Sequence, residues 1–292
     1  MLKCLAPAKI NLVLEVLGKR DDGYHEIRSL VQTISLCDAL SFELADSISL
    51  KCTELSLQTA DNLVVQAAEL LKKVSGCQKG VKIKLEKRIP WGAGLGGGSS
   101  DAAATLLILN RLWKLEFTTS DLVELAARLG ADVPFFIHKG TALVEDRGEK
   151  VTPLVASVPG WFVLLIPPLP KVAHKTQQLY SRLKPRHFTD GQFVGRALKS
   201  WPQRKEIDAS LLFNVFEKVA FEAFSGLEVY WKRFEQAGAT DSHLVGAGPA
   251  LFAPVNSEAK AEKICRQLRQ QGLEAHGVTT VIPLEKENIP LP

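Results

Sequence analysis

The sequence has little cysteine, and what it has forms no metal-binding or disulfide pattern. Its 292 residues include five cysteines, at positions 4, 37, 52, 77 and 265. Their number is odd, they lie far apart, and no Cys-x-x-Cys pair occurs. Neither a zinc site nor a disulfide framework is therefore indicated. We expect free thiols in or near the core of a protein from a reducing compartment.

Long hydrophobic runs are also missing. The most apolar later stretch, residues 161–169, is far shorter than the roughly 20 residues that cross a bilayer, and Pro167 and Pro168 interrupt it. Residues 1–17 are apolar but are broken by polar and charged side chains, and no small-residue cleavage site follows. We therefore expect no signal peptide, no membrane association and a cytoplasmic location.

A strong excess of one charge is absent as well. The formal net charge is +4, and no cluster of basic and aromatic residues is present, so a nucleic-acid partner is not expected. A mildly basic surface suits phosphate ligands, although it is also common among proteins without them. With 46% hydrophobic and 23% charged residues, the chain has the composition of a globular protein with one large core or two moderate ones.

Apolar periodicity predicts a mixture of strands and helices. Alternation over residues 8–17 predicts a strand that projects Lys9 and Asn11 from the same face. The other expected elements are a helix capped by Asp61, a strand over 81–85, a buried helix to about Trp113, a helix capped by Thr119 or Ser120 and ended by Gly130, a strand over 161–166, a helix over 211–224, a strand over 250–253, and a helix capped by Ser257 that runs to about Gln271.

These elements lack the regular strand–helix alternation of a doubly wound sheet, so we predict an α+β fold with two domains. Prolines concentrate at positions 153, 159, 167, 168 and 170. They place the domain boundary near residue 155, which gives domains over 1–155 and 156–292.

A glycine-rich loop leads directly into the buried helix. Glycines at 92, 94, 96, 97 and 98 let the backbone approach a bulky anion, and the following helix directs its unpaired N–H groups to the same place. This arrangement is typical of a phosphate site. A plain surface turn is the alternative, but it would not need so apolar a helix immediately after it.

Three well-known phosphate motifs do not fit this loop. Gly92-x-Gly94-x-x-Gly97 matches the dinucleotide fingerprint, but a later acidic residue at the end of a second strand is missing. A Walker loop would need a lysine before Ser99 or Ser100, and none is there. The protein-kinase motifs His-Arg-Asp and Asp-Phe-Gly do not occur.

Residues 89–103, Ile-Pro-Trp-Gly-Ala-Gly-Leu-Gly-Gly-Gly-Ser-Ser-Asp-Ala-Ala, resemble the ATP-phosphate loop of the GHMP kinase superfamily. Three further segments narrow the resemblance to its diphosphocytidyl-methylerythritol kinases: Pro-Ala-Lys-Ile-Asn-Leu over 7–12, Asp-Gly-Tyr-His-Glu over 22–26 and Leu-Gly-Ala-Asp-Val-Pro-Phe-Phe over 129–136. They stand in matching order and spacing. The resemblance covers most of the first 150 residues and is thinner beyond them.

The resemblance implies a two-domain GHMP kinase. Its N-terminal ATP-binding domain would be similar to domain 2 of ribosomal protein S5, its C-terminal domain would be an α/β sandwich, and the active site would lie between them. The implied reaction is ATP-dependent phosphorylation of the 2-hydroxyl of a cytidine diphosphate-linked polyol in non-mevalonate isoprenoid synthesis. Mg²⁺ is the implied metal, with Ser99, Ser100 or Asp132 as candidate ligands, and the implied state is a monomer or homodimer.

The resemblance also assigns site residues. Asp132 would accept the hydroxyl proton and Lys9 would keep it ionised and hold the reacting oxygens, although a turn aspartate and a solvated strand lysine are the alternatives. The ATP site would comprise Pro90, Gly92, Ala93, Gly94, Leu95, Gly96, Gly97, Gly98, Ser99 and Ser100, with Asn62, Lys87 and Trp91 near the adenine. The acceptor site would comprise Asn11, Tyr24, His25, Thr176, Tyr180, Gly246 and Gly248, with His25 recognising cytosine and Tyr24 framing its pocket.

The sequence departs from the family pattern at two places. A second glycine motif, Leu-Val-Gly-Ala-Gly-Pro over 244–249, is called the late glycine motif. It carries Val245 and Ala247 where relatives usually have hydroxyl residues, so fewer donors remain for a phosphate there. Val215 follows Asn214 where relatives commonly have an aspartate, which puts a functional role for Asn214 in doubt. Two other functions remain open: a homoserine or mevalonate-type kinase, and a non-catalytic nucleic-acid-binding protein on the same fold core.

Overall fold

The computed structural model describes residues 1–154, 158–170, 175–201 and 207–281, which form the predicted α+β fold. Their strands are β1 Leu2–Lys19, β2 His25–Ala45, β3 Ile48–Cys52, β4 Gly80–Glu86, β5 Thr141–Asp146, β6 Lys150–Pro153, β7 Trp161–Ile166, β8 Phe213–Asn214, β9 His243–Leu244, β10 Leu251–Val255 and β11 Glu274–Thr279. Their helices are α1 Leu63–Ser75, α2 Gly97–Trp113, α3 Thr119–Leu129, α4 Val133–His138, α5 Lys175–Arg182, α6 Gln192–Ser200, α7 Ala220–Ala223, α8 Leu227–Gln236 and α9 Glu258–Gln270.

The first sheet is built on the long antiparallel pair β1 and β2. Its order is β3-β4-β2-β1-β8, with β5 also paired to β2 and β6 paired to β5. The helices α1 to α4 pack on one another, and α2 contacts both β1 and β2. Ala8, Ile10 and Leu12 of β1 pack in the core cluster that includes Phe162 and Phe252 of the second half of the chain. The opposite face of β1 carries Lys9 and Asn11, and it lies beside the start of α2, where Lys9 Cγ is 3.1 Å from the position of a Cβ on Gly96.

The second sheet has the order β11-β7-β10-β9, and α9 packs against β11, β7 and β10. The strand β8 belongs to the second half of the chain, yet it joins the first sheet parallel to β1, with Val13 opposite Phe213. The predicted boundary between residues 155 and 156 lies outside the described residues. The two halves thus meet along β1, close to the glycine-rich loop.

Most of the predicted elements are confirmed, including the strands over 8–17, 81–85, 161–166 and 250–253 and the helices that end near Trp113 and begin after Ser257. Two capping residues are corrected by one position. Asn62, not Asp61, accepts the N–H of Val64 at 2.9 Å. Thr118, not Thr119 or Ser120, caps α3, because it forms a reciprocal capping box with Asp121.

The predicted helix over 211–224 is wrong. Residues 213–214 form β8, residues 215–218 form a 3-10 turn, and only residues 220–223 are α-helical. The Asn214 carboxamide accepts the N–H of Phe216 at 3.0 Å, and such a local side-chain bond competes with helix formation. Val215, Phe216 and Phe224 of this segment are buried by tertiary packing instead, while Phe221 is exposed.

All five cysteines are free, and Cys52 and Cys265 are buried. This agrees with the expectation of unpaired thiols in or near the core. Among the helices of the described ranges, none has the length and apolar character that a membrane crossing requires.

Candidate active site

The glycine-rich loop has the backbone geometry that its glycines predict. Gly92, Gly94 and Gly96 have φ values of 80°, 98° and 72°, in the region that other residues avoid. α2 begins at Gly97 directly after them. Its first-turn N–H groups precede the intrahelical bonding pattern and point out of the helix end toward the loop. This arrangement can bind a phosphate through the backbone.

The late glycine motif packs against this loop. A Cβ atom on Gly248 would overlap the Ala93 carbonyl oxygen and would lie 2.6 Å from Gly94 N. A Cβ on Gly246 would lie 3.0 Å from both Asn11 Oδ1 and Lys9 Nζ. Two glycine segments far apart in sequence therefore form one surface. Glycine is required at position 248 because the two backbones touch there, whereas a side chain at position 246 would crowd the side chains of Lys9 and Asn11.

Asn214 fastens the late motif in place. It is 1% exposed, and its Nδ2 donates to the carbonyls of Leu244 at 3.0 Å and Gly246 at 2.9 Å. Val215, which departs from the family pattern, is fully buried in the core. The Asn214 side chain supports the loop backbone, and this support needs no carboxylate at position 215.

Lys9 is a buried residue of β1, not a solvated strand residue. It is 5% exposed, its Nζ donates to Asn11 Oδ1 at 2.7 Å, and its backbone N–H donates to the Leu95 carbonyl at 3.0 Å. Burial lowers the pKa of Lys9, and the Asp132 carboxylate partly offsets this effect. The lysine head therefore lies between the glycine loop and an acidic residue.

Asp132 occupies the N-cap position of α4, but its side chain makes no capping hydrogen bond. The carboxylate is exposed, and it lines a small cavity together with Lys9, Asn11 and Ser29. The predicted pairing of Lys9 and Asp132 at one site is thus present in the structure. Asp132 is held by the turn before α4 and keeps its carboxylate available for a ligand.

A buried charge cluster lies under the loop, and sequence patterns do not indicate two of its members, Asp38 and Asp101. Lys87 Nζ forms ion pairs with Asp38 and, at 2.9 Å, with Asp101. Asp38 also accepts the backbone N–H groups of Arg88 at 2.6 Å and Ile89 at 2.8 Å. A Cβ on Gly97 would be 3.2 Å from Lys87 Nζ. Lys87, predicted near the adenine, therefore supports the entry to the loop from below.

The ionisation of Asp101 gives a test of this cluster. Burial raises the pKa of Asp101 from 3.8 to about 7, while Lys87 lowers it and Asp38 raises it. Because the folded protein holds the Asp101 proton more tightly than the unfolded chain, stability decreases as pH rises from about 4 to about 7. Asp101→Asn removes this pH-dependent loss of stability and leaves the Lys87–Asp38 ion pair, whose net charge is zero. At 1.4 kcal/mol per pKa unit, the difference in unfolding free energy is up to roughly 4 kcal/mol.

Urea unfolding of both proteins between pH 4 and pH 8 measures this difference. We expect the wild type to lose more stability than Asp101→Asn up to about pH 7, with parallel behaviour above it. Asp61→Asn, at an exposed carboxylate, is the matched control. Equal pH slopes for wild type and Asp101→Asn below pH 7 would contradict the raised pKa.

Aromatic side chains gather beside α5. His25 stacks on Tyr180 with ring centroids 4.8 Å apart, and Phe188 meets its edge at 6.0 Å. Thr176 and Tyr180 are one helical turn apart on α5. Tyr24 is 59% exposed, and the Arg147 guanidinium lies 5.1 Å from its ring centroid. These rings offer flat surfaces on which a base can stack.

The remaining predicted ATP residues differ in what they can offer. Ala93 and Leu95 are buried, so they present only backbone groups. Asn62 uses its Oδ1 for the α1 cap and its Nδ2 for the Leu57 carbonyl at 2.8 Å. Trp91 is 43% exposed beside the loop. Pro90 and Ser99 are half-buried, Gly98 is exposed and Ser100 is buried. Their contacts with ATP remain predictions.

The chain matches two family models, GHMP kinases N terminal domain over residues 62–140 and GHMP kinases C terminal over residues 196–274. The 4-diphosphocytidyl-2-C-methyl-D-erythritol kinase of Dehalococcoides mccartyi is 48% identical over 285 residues, which is 98% of this chain and 100% of that protein. The kinase of the same name from Bacillus pumilus is 39% identical over 267 residues, 90% of this chain and 91% of that protein.

Solved structures agree with these matches. A crystal structure of 4-(cytidine 5'-diphospho)-2C-methyl-D-erythritol kinase has a TM-score of 0.82 and 36% identity, covering 96% of this chain and 99% of that one. Homoserine kinase from Cytophaga hutchinsonii has a TM-score of 0.72 at 17% identity, covering 96% of this chain and 94% of that one. The second likeness concerns the fold alone.

Proposed function

The chain belongs to the 4-diphosphocytidyl-2-C-methyl-D-erythritol kinase family of the GHMP kinases, and we propose that it transfers the γ-phosphoryl group of ATP to the 2-hydroxyl of that cytidyl alcohol. The observation that carries the proposal is the shared cavity of Lys9 and Asp132 beside the glycine loop. The relatives of 39–48% identity favour this acceptor over homoserine or mevalonate. They also favour a kinase over a nucleic-acid-binding protein.

Asp132 is proposed as the proton acceptor. As the 2-hydroxyl oxygen forms its bond to the γ-phosphorus, the bond from that phosphorus to the β–γ bridging oxygen breaks, and ADP leaves with its electron pair. The hydroxyl proton passes to the Asp132 carboxylate. Lys9 faces the same space with its head held by Asn11, so it can hold the reacting oxygens and stabilise their charge without rearranging.

The glycine loop is proposed to hold the polyphosphate through backbone N–H groups of the loop and of the first turn of α2. Gly246 and Gly248 close this surface from the other side. The residues present fit a magnesium ion that takes most of its ligands from phosphates and water. Ser100 Oγ is buried without a hydrogen-bond partner among the described residues, and Ser99 and Asp132 offer further oxygens. Bound magnesium would neutralise charge on the β- and γ-phosphates.

The aromatic group beside α5 is proposed as the cytosine pocket. His25 and Tyr180 stack on one another, Tyr24 lies exposed next to His25, and Thr176 adds a hydroxyl on the same face of α5. Burial, followed by the nearby Lys19 charge, lowers the pKa of His25. A neutral imidazole at pH 7 can donate one hydrogen bond and accept another, which suits a base edge.

Replacing His25 with Ala should therefore raise the KM for the cytidyl substrate by about 5- to 150-fold, because stacking on a base is worth about 1–3 kcal/mol. The KM for ATP should stay within about twofold. Steady-state kinetics with each substrate varied in turn measures both values. His276→Ala is the control, since His276 pairs with Glu274 on β11, away from this group. An unchanged KM for the cytidyl substrate would refute the role of His25.

A coupled ADP-release assay tests the function itself. The wild-type protein is supplied with ATP, Mg²⁺ and, in separate reactions, the cytidyl alcohol, homoserine or mevalonate. We expect turnover with the cytidyl alcohol only. Faster turnover with homoserine or mevalonate would show a different acceptor, and RNA binding without ADP release would favour the non-catalytic alternative.

The location, pathway, oligomeric state and domain arrangement complete the proposal. We propose that the protein works in the cytoplasm on small molecules in isoprenoid precursor synthesis, as a monomer or homodimer. We also propose that its domains, over residues 1–155 and 156–292, flank the cleft that contains Lys9 and Asp132.

A further inference from the structure

Lys175 connects the second half of the chain to the glycine loop. It is the first residue of α5, and its Nζ donates to the carbonyl oxygen of Gly92. Gly92 is exposed, and a Cβ atom added there would have no neighbour within 4 Å. The lysine therefore reaches across the cleft to the rim of the proposed phosphate site, from a helix that also carries Thr176 and Tyr180.

The charges around Lys175 do not balance. The groups whose charges act on it are Lys9 on β1 and Asp132 before α4. Lys9 is held by the neutral amide of Asn11 and Lys175 by a neutral carbonyl. Two lysines thus lie near one carboxylate in a partly buried space. A bound anion near Asp132 would supply negative charge to pair with the second lysine.

The position of Lys175 in its helix does not explain its presence. A cation in the first turn of a helix is disfavoured by the helix dipole. Burial and the neighbouring Lys9 lower the pKa of Lys175 to about 8, although Asp132 raises it. The helix dipole, burial and Lys9 all disfavour a charged ammonium group on Lys175. A bound polyanion would offset these effects, because it would lie against the ammonium group.

We infer that Lys175 is a further phosphate-contacting residue of the proposed kinase reaction, which binds the γ-phosphoryl group together with Lys9. This inference rests on the proposed function for the choice of ligand. When the γ-phosphate is bound, the ammonium group stabilises the charge on its oxygens as it moves toward the acceptor.

The nucleotide-binding test does not depend on the acceptor. Calorimetry compares the affinities for ADP and for the analogue AMP-PNP in wild type, Lys175→Met and Lys175→Arg. If Lys175 contacts the γ-phosphate, Lys175→Met loses about tenfold or more of the preference for AMP-PNP, while its ADP affinity changes by less than about threefold. Lys175→Arg retains the preference. An unchanged preference in Lys175→Met would overturn the inference, even if the protein phosphorylated a different alcohol.

Kinetics supplies the second readout. Lys175→Met should lower kcat/KM for ATP by roughly 100-fold, with Lys175→Arg within about tenfold of wild type. The wild-type kcat/KM should fall above about pH 8, where Lys175 loses its proton. In Lys175→Arg this fall should move to higher pH, since a guanidinium remains protonated. A fall that stays in place would assign it to another group, such as Lys9, and overturn the inference.

Lys199→Met is the matched control, because Lys199 is exposed on α6 in the same half of the chain. It should match wild type in every measurement. Thermal unfolding of all three variants separates a local charge effect from a loss of structure. Wild type without turnover on any acceptor would refute the proposed function, while the AMP-PNP preference would still decide the role of Lys175.

Discussion

Asp132→Asn is expected to lower kcat by about 10²- to 10⁴-fold, the range that a positioned general base contributes. The structure gives the reason, because the carboxylate lines the same cavity as Lys9 without serving as a helix cap. Asparagine keeps the size and the N-cap preference of aspartate but cannot take the hydroxyl proton. The affinity for ATP should stay within about twofold, since the backbone of the glycine loop is untouched.

Single-turnover kinetics and ATP-analogue calorimetry measure these two quantities. Because Asp132 is exposed and its side chain makes no capping bond, the thermal midpoint should remain close to that of the wild type. Asp61→Asn, at an exposed aspartate before α1, should leave both turnover and stability unchanged. Near-normal turnover in Asp132→Asn would remove this residue as the base, whatever the substrate.

Local sequence signals predicted the parts of the fold that depend on neighbouring residues. The alternation over residues 8–17 indicated β1, and the glycine run before an apolar segment indicated the loop that enters α2. The same signals placed Lys9 and Asn11 on one face, where their side chains form a hydrogen bond. These features follow from side-chain period and backbone freedom, which act over a few residues.

Features that depend on distant parts of the chain were not predictable in this way. The segment from Leu211 to Phe224 has the composition of a buried helix, but Phe213 and Asn214 pair with β1 from the other half of the chain. Tertiary pairing and a local Asn214 side-chain bond outweigh helix propensity there. Periodicity alone cannot separate a buried helix from short buried segments of other kinds.

The same limit applies to the site. The ion pairs of Lys87 join residues 49 and 14 positions away in sequence, so no spacing rule indicates them. The one available signal was the carboxylate of Asp101 at the start of a mostly apolar helix. Asp101 is 2% exposed in the structure. Lys175 was equally inconspicuous in sequence, since its proximity to Lys9 and Asp132 arises only when the two halves of the chain meet.

The contact between the two glycine segments leads to a second large expected effect. Gly248→Ala should destabilise the protein by about 1–3 kcal/mol or more, the range for inserting a methyl group into a fully packed site. Its Cβ would overlap the Ala93 carbonyl oxygen and lie 2.6 Å from Gly94 N. Both obstacles are backbone atoms, so no side-chain rotation relieves the overlap, and the phosphate loop must move. We therefore also expect a loss of ATP affinity of at least tenfold.

Gly195→Ala separates this contact from the general effect of replacing glycine. Gly195 lies inside α6 with open space around the position of its Cβ, and alanine there should stabilise the protein by up to about 1 kcal/mol. Neither glycine has a left-handed φ, so backbone strain does not distinguish the two substitutions. Urea unfolding and ATP-analogue calorimetry measure both variants. If Gly248→Ala kept the stability and ATP affinity of the wild type, the late motif would not press on the phosphate loop, because the added methyl group has no other space to occupy.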